Sequence, residues 1–170
     1  MLKVESAARA EPGAVATVGE ISALPGASNV IPGEAEHALD LRHPDDAVRE
    51  RLRERLGRRA AEIAASRGCE HRWQVRQETP AVPADPELSA LLEEAIADSG
   101  LRVRRLPSGA GHDAAQVAAA LTPAAMLFVR CEAGISHNPA ESGKREDVRA
   151  AIEVTGRFLA LVAEAESLSE

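Results

Sequence analysis

Three prolines, Pro80, Pro83 and Pro86, interrupt the chain near its middle and constrain its folding more than any other feature. Proline has no backbone N–H and holds φ near −65°, so a closely spaced run of three neither continues a helix nor sits inside a paired strand. The hydrophobic pattern also changes across it. Upstream, strand-like alternation surrounds one helical stretch; downstream, helical stretches alternate with short apolar runs. Two structural units are expected, over 1–80 and 81–170.

In the first unit a short helical start leads to a strand over 15–24, which Pro25-Gly26 ends. Asn29-Val30-Ile31-Pro32-Gly33 reads as a turn. A second strand follows over 35–42, with Ala35, His37, Leu39 and Leu41 on one face and Glu36, Ala38, Asp40 and Arg42 on the other. Pro44-Asp45-Asp46 opens a helix, because proline and acidic side chains suit the first turn, where N–H groups are unpaired. The helix runs to about Ser66, with Val48, Leu52, Leu56, Ala60 and Ile63 on one stripe, and Gly68 ends it. A third strand is expected over 70–79, presenting His71, Trp73 and Val75 on one face. The sum is an α+β unit, a partial ferredoxin-like layer in which a helix covers an antiparallel sheet.

The second unit reads as helix (87–99), strand (101–106), loop, short helix (114–121), buried strand (125–129), second loop and long helix (147–165). Val148, Ile152, Thr155, Leu159 and Val162 share one face of the last helix. The alternation belongs to an α/β layer arrangement, but two strands are too few for a self-sufficient sheet. Apolar surface is therefore expected to stand exposed where further strands would pair.

Composition excludes several function classes. A net charge of −7, with aromatics at 2% and no tyrosine, argues against a nucleic-acid-binding surface, which needs cationic contacts and stacking platforms. No apolar run approaches the length of a membrane span, and the N-terminus is too polar for a secretory signal. Cys69 and Cys131 form no CxxC pair or disulfide framework, so a reducing cytoplasm is the expected setting.

Two loops carry the chemistry: Ser108-Gly109-Ala110-Gly111-His112-Asp113-Ala114 and Gly134-Ile135-Ser136-His137-Asn138-Pro139-Ala140-Glu141. Each sets a histidine near glycine, so that backbone and imidazole reach the same small volume. His137 is a metal-ligand type, but a catalytic zinc needs about three protein ligands, and Glu141 is the one neighbour at ligand spacing. A loop histidine satisfied by backbone is the plainer reading. His112 precedes Asp113 at the start of a helix, where developing negative charge is stabilised; equally, it is an incidental part of a capping loop. A serine-hydrolase reading through Ser108 or Ser136 lacks the G-x-S-x-G elbow, and residues adjacent in sequence do not form a triad by adjacency. Arg42 is either a bidentate carboxylate clamp or the partner of Asp40. Asn29 is a turn residue on its own evidence. Glu54 and Arg58 have helix-pair spacing within a solvated face.

Taken in order, Asn29-Val30-Ile31-Pro32-Gly33, Leu39-Asp40-Leu41-Arg42-His43-Pro44 and the two histidine loops resemble one family. It is the allantoate amidohydrolase, N-carbamoyl-L-amino-acid hydrolase and beta-ureidopropionase group, part of the aminoacylase and carboxypeptidase clan of dinuclear metallohydrolases. The resemblance runs from about Val15 to the last helix. It implies that His137 is a metal ligand, that Gly111 and His112 contact substrate at the scissile group, with His112 catalytic, and that Asn29 and Arg42 bind substrate, the arginine through a carboxylate. It further implies a divalent metal, zinc or manganese, and a small carboxylate-bearing ureido substrate. Residues 1–80 then correspond to an incomplete lid that also forms a homodimer, and 81–170 to the C-terminal portion of an α/β metal-binding domain.

Members of that family are more than twice this length, and the segments bearing their other ligands and general base have no counterpart here. The chain alone is not expected to hold the metal tightly. Two readings follow: part of an amidohydrolase cleaving a linear carbamoyl or ureido C–N bond, completed by a separate N-terminal half; or a non-catalytic dimerisation module left from a truncated paralogue.

Overall fold

The computed structural model describes residues 2–167, and the chain divides into two compact units, Met1–Ala81 and Val82–Glu170.

The first unit contains helix α1 (Leu2–Arg9), strands β1 (Val15–Leu24) and β2 (Glu34–Arg42), and helix α2 (Asp46–Ser66). β1 and β2 form an antiparallel hairpin running from Val15 opposite Arg42 to Leu24 opposite Glu34. Gly19 has no partner: Val18 faces Leu39 and Glu20 faces Ala38, so β1 carries one extra residue, a β-bulge. The bulge decides which side chains share a face. Ala16 and Val18 before it, and Ile21 and Ala23 after it, all stand opposite Leu41, Leu39, His37 and Ala35. Without it, Ile21 and Ala23 would turn to the polar face, because strand side chains alternate with a period of two.

The sheet face nearest Arg42 is half-buried at Ala16, Val18, Leu39 and Leu41, while Ile21, Leu24, Val30 and Ile31 at the far end are exposed, Ile31 to 91%. α1 packs against β1 and α2, and the core is Ala8, Leu52 and Leu56. Asp45 starts α2 as its N-cap, its carboxylate accepting from the N–H of Ala47 (2.8 Å) and Val48 (3.3 Å). Gly68, at φ 67°, follows its end in the left-handed conformation that glycine adopts without penalty. His43 ties the two turns beside the sheet together: its Nδ1 accepts from Asp45 N–H at 2.9 Å and its Nε2 lies 3.1 Å from the Pro12 carbonyl oxygen.

The expected third strand does not form. Residues 70–79 have no regular secondary structure and are held by side chains instead. Trp73 lies over Gly57 of α2, Glu78 pairs with Arg49 (3.1 Å) and Arg53 (2.9 Å), and Arg76 pairs with Glu36 and with Glu20 (3.6 Å). Alternation alone does not make a strand; the backbone groups need a ladder to join.

The second unit contains α3 (Pro86–Asp98), α4 (Asp113–Ala120), one 3-10 turn (Glu132–Gly134) and α5 (Arg145–Ser167). α3 packs on α5, burying Ala95 and Val154 completely or nearly so. The strands expected over 101–106 and 125–129 are also not formed among the described residues, so this unit has helices but no α/β sheet. Hydrogen bonds flank the second segment, from Asp85 N–H to Ala124 O (2.8 Å) and Glu132 N–H to Ser142 O (2.8 Å), but no neighbouring strand extends them. Val103, Leu106, Phe128 and Val129 are exposed accordingly.

Along α5, Val148, Ile152 (69%), Thr155 and Leu159 (60%) of the shared face are exposed and Val162 is half-buried, whereas Ala150, Ala151, Val154, Phe158 and Leu161 form the shielded stripe. The helix is apolar on two sides, and periodicity does not say which one meets α3. No helix among the described residues is long and apolar enough to cross a membrane.

Candidate functional site

Asn29 and Arg42 belong to the first unit and lie at opposite ends of the hairpin. Asn29 is exposed in the loop after β1, which Gly33 N–H closes onto Leu24 O at 2.9 Å and Val30 N–H tightens onto Ala27 O at 3.3 Å. Arg42 is the last residue of β2. At about 3.3 Å per residue, β2 sets roughly 26 Å between Arg42 and the edge of the Asn29 loop. That is longer than a small ureido acid, so one chain does not bring these two residues onto one ligand.

Arg42 grips a carboxylate already. Its Nε donates to Asp40 Oδ1 at 2.8 Å and its Nη2 to Oδ2 at 2.6 Å, a bidentate fork on the same strand face. This hydrogen bonding, aided by the guanidinium charge and opposed by slight desolvation, holds the Asp40 carboxyl below its ordinary range. Both side chains are about half exposed.

The histidine loops belong to the second unit. His112 is the N-cap residue of α4, with extended backbone, but its side chain makes no cap bond; the imidazole turns back instead. Its Nε2 stands 2.5 Å from Ser108 Oγ, which also accepts from Ala110 N–H at 3.2 Å. The edge of Phe128 meets the ring at 6.0 Å between centroids. The glycines that mark 108–112 as a loop do not reveal this bond; the separation of four residues across two glycines is the one signal for it. Around Gly111, none of the described atoms lies within 4 Å of where a β-carbon would stand. The chain's own packing does not require glycine there, which leaves the backbone open to approach.

The loop 137–141 is closed by bonds from its own backbone N–H groups, two of them to side chains. His137 has φ 55°, a left-handed conformation uncommon outside glycine. Its N–H donates to Glu141 Oε2 at 2.9 Å, Ala140 N–H donates to Asn138 Oδ1 at 2.9 Å, and Glu141 N–H donates to Asn138 O at 2.9 Å. Glu141, the one nearby candidate for a second ligand, is thus engaged by the backbone of His137 itself. Among the described residues no three His, Cys, Asp or Glu side chains converge to hold a metal ion. These residues by themselves do not fit a metal centre.

Residues 4–161 match the model of a family described as peptidase family M20/M25/M40. The allantoate deiminase of Arabidopsis thaliana is 44% identical over 146 residues, a match covering 81% of this chain and 27% of that protein. The N-carbamoyl-L-amino acid amidohydrolase of Geobacillus stearothermophilus is 36% identical over 151 residues, covering 89% of this chain and 37% of that protein. Among solved structures, a hydantoinase/carbamoylase family amidase from Burkholderia multivorans superposes with a TM-score of 0.85 at 36% identity, over 92% of this chain and 38% of its own. The chain therefore spans well under half the length of the relatives it matches.

Proposed function

Because this chain belongs to peptidase family M20/M25/M40, we propose that it is part of an amidohydrolase that cleaves a linear ureido or carbamoyl C–N bond in a small carboxylate-bearing substrate. The named relatives act, by name, on allantoate and N-carbamoyl amino acids, which share a carboxylate and a ureido group. The observation that carries the reading is the Arg42 fork: a bidentate carboxylate grip at a strand end, with an internal carboxylate on it. A substrate carboxylate exchanging with Asp40 keeps the guanidinium paired throughout, so binding leaves no buried charge behind.

In this reading Gly111 admits the ureido group against the backbone, and the His112 imidazole donates to the carbonyl oxygen as negative charge develops there. His137 is one ligand of a divalent metal, zinc or manganese, whose remaining ligands are not among the described residues. No hydrolytic step is assigned to this chain by itself. The first unit acts as a lid, and 82–170 as the part of the metal-binding domain that carries both histidine loops. Asn29 and Arg42 of one chain serve two different substrate molecules, which requires a second copy. The exposed hairpin end, with Ile21, Leu24, Val30 and Ile31, suits a homodimer contact.

A second reading rests on the absence of a converging ligand set among the described residues: the hairpin is a non-catalytic dimerisation module. The test is reconstitution with the N-terminal part of a relative and either metal, reading ammonia release from N-carbamoyl amino acids and allantoate. Arg42→Ala is expected to lower kcat/KM by about 10- to 100-fold, the loss of a charge-assisted fork. Turnover unaffected by this substitution rules out the clamp; no turnover with any N-terminal part favours the dimerisation module.

A further inference from the structure

Ser108 bears on which nitrogen of His112 is available to a substrate. A serine hydroxyl has one proton and two acceptor lone pairs, and a neutral imidazole has one donor and one acceptor nitrogen. Ala110 N–H already occupies a lone pair of Ser108 Oγ, and His112 Nε2 is the other polar atom against it, at 2.5 Å. If Nε2–H were the donor, Oγ would accept twice and its own proton would turn out to solvent, to which Ser108 is exposed; with Oγ–H as the donor, both bonds are made within the loop. The economical assignment is the reverse: Oγ–H donates to Nε2.

We propose that Ser108 is a positioning residue that holds His112 as the Nδ1–H tautomer, making Nδ1 the nitrogen that donates to the substrate oxygen. The functional half rests on His112 being the oxyanion donor; the tautomer does not. The chain supplies its own contrast. At His43, Asp45 N–H lies 2.9 Å and Asp45 O 3.1 Å from Nδ1, and Pro12 O lies 3.1 Å from Nε2; because a backbone N–H only donates, the closer contact favours the opposite tautomer, Nε2–H. Two histidines in one molecule are thus oriented oppositely by the neighbour each accepts from. Phe128 against the His112 ring limits its rotation out of the Ser108 bond.

The test is long-range proton–nitrogen correlation NMR on the full chain, at about pH 8, where an ordinary imidazole is neutral. The expected spectrum has His112 protonated at Nδ1 and His43 at Nε2. Ser108→Ala is expected to move His112 toward the Nε2–H form that an unconstrained histidine favours, with His43 unmoved. Ser108→Thr, which keeps the hydroxyl, retains Nδ1–H. Protonation of His112 at Nε2 in the unaltered chain overturns the proposal, as does an unchanged His112 in Ser108→Ala. Should Ser108→Ala fail to fold, seen as loss of the dispersed amide signals of the second unit, the unaltered chain and Ser108→Thr still decide it. In the reconstituted enzyme, a His112→Ala variant with undiminished kcat/KM overturns the donor role alone and leaves the tautomer standing.

Discussion

Arg42 and His112 are the proposed substrate contacts of the two units, and the chain holds their side chains by opposite means. Arg42 ends a strand whose register is set residue by residue against β1, and its guanidinium is fixed by a carboxylate two positions away. His112 opens a helix without capping it, and its ring is fixed by a serine four positions back in an irregular loop. The hairpin end is thus defined by a ladder. The histidine loops lie between segments that would need neighbouring strands to become one. Where the backbone finds its partners locally, side-chain placement follows from alternation; where it does not, individual side-chain bonds take over.

The sharpest probe of this contrast is the buried stripe of α2 against the outer face of α5. Leu52→Ala is expected to cost about 2–4 kcal/mol in urea unfolding, the lost burial plus the cavity left behind. Leu159→Ala, on an exposed face, should change stability by no more than about 0.5 kcal/mol. Equal costs would break the comparison, because they would mean that the α5 face is covered in solution. A smaller effect separates the two helix starts. Asp45→Ala removes a cap that accepts two N–H groups and should cost about 1 kcal/mol by thermal unfolding, whereas His112→Ala removes no cap bond from α4 and should leave its helicity unchanged. A similar loss of helicity in both would contradict the assignment of His112 to Ser108.

The smallest effect is electrostatic. The Asp40 carboxyl is held below its ordinary range by Arg42, so the pair stabilises the fold above the unfolded-state pKa, near 4, and that contribution is lost as pH falls through the lower folded value. Half-exposed and screened, it should amount to less than about 1 kcal/mol. Arg42→Gln should therefore flatten the fall of stability below about pH 4 while leaving α2 intact, as measured by unfolding at a series of acid pH values. An unchanged acid limb would mean that Asp40 is held by something other than Arg42.

Much of the first unit was legible in sequence. Pro25-Gly26 marked the end of β1, Asp45 the start of α2 and Gly68 its end, because turns and caps are written in residues whose chemistry acts within four positions. The residues over 70–79 and 101–106 read as strands, and 125–129 as a buried one from its continuous apolar run, yet none forms a strand, since pairing depends on a partner and not on the segment itself. Which side of α5 meets α3 is not legible for a related reason: two apolar stripes satisfy one periodicity. At the candidate site, the Asp40–Arg42 pair was foreseen as one of two readings. The Ser108–His112 bond was not, because a loop's path between two fixed ends has no period to read.

The extra residue at Gly19 gives the hairpin an uneven count, with more residues on one side than the other over the same span. Insertions or deletions in the tip loop leave both counts alone, so that loop is free to vary in length by any number while Arg42 stays where it is. A single deletion within β1 beyond the bulge is different, because it inverts the inside and outside of part of the strand. Length variation that keeps these faces should therefore come in twos along the strands, whereas at the tip register sets no such parity and only the placement of Asn29 limits it.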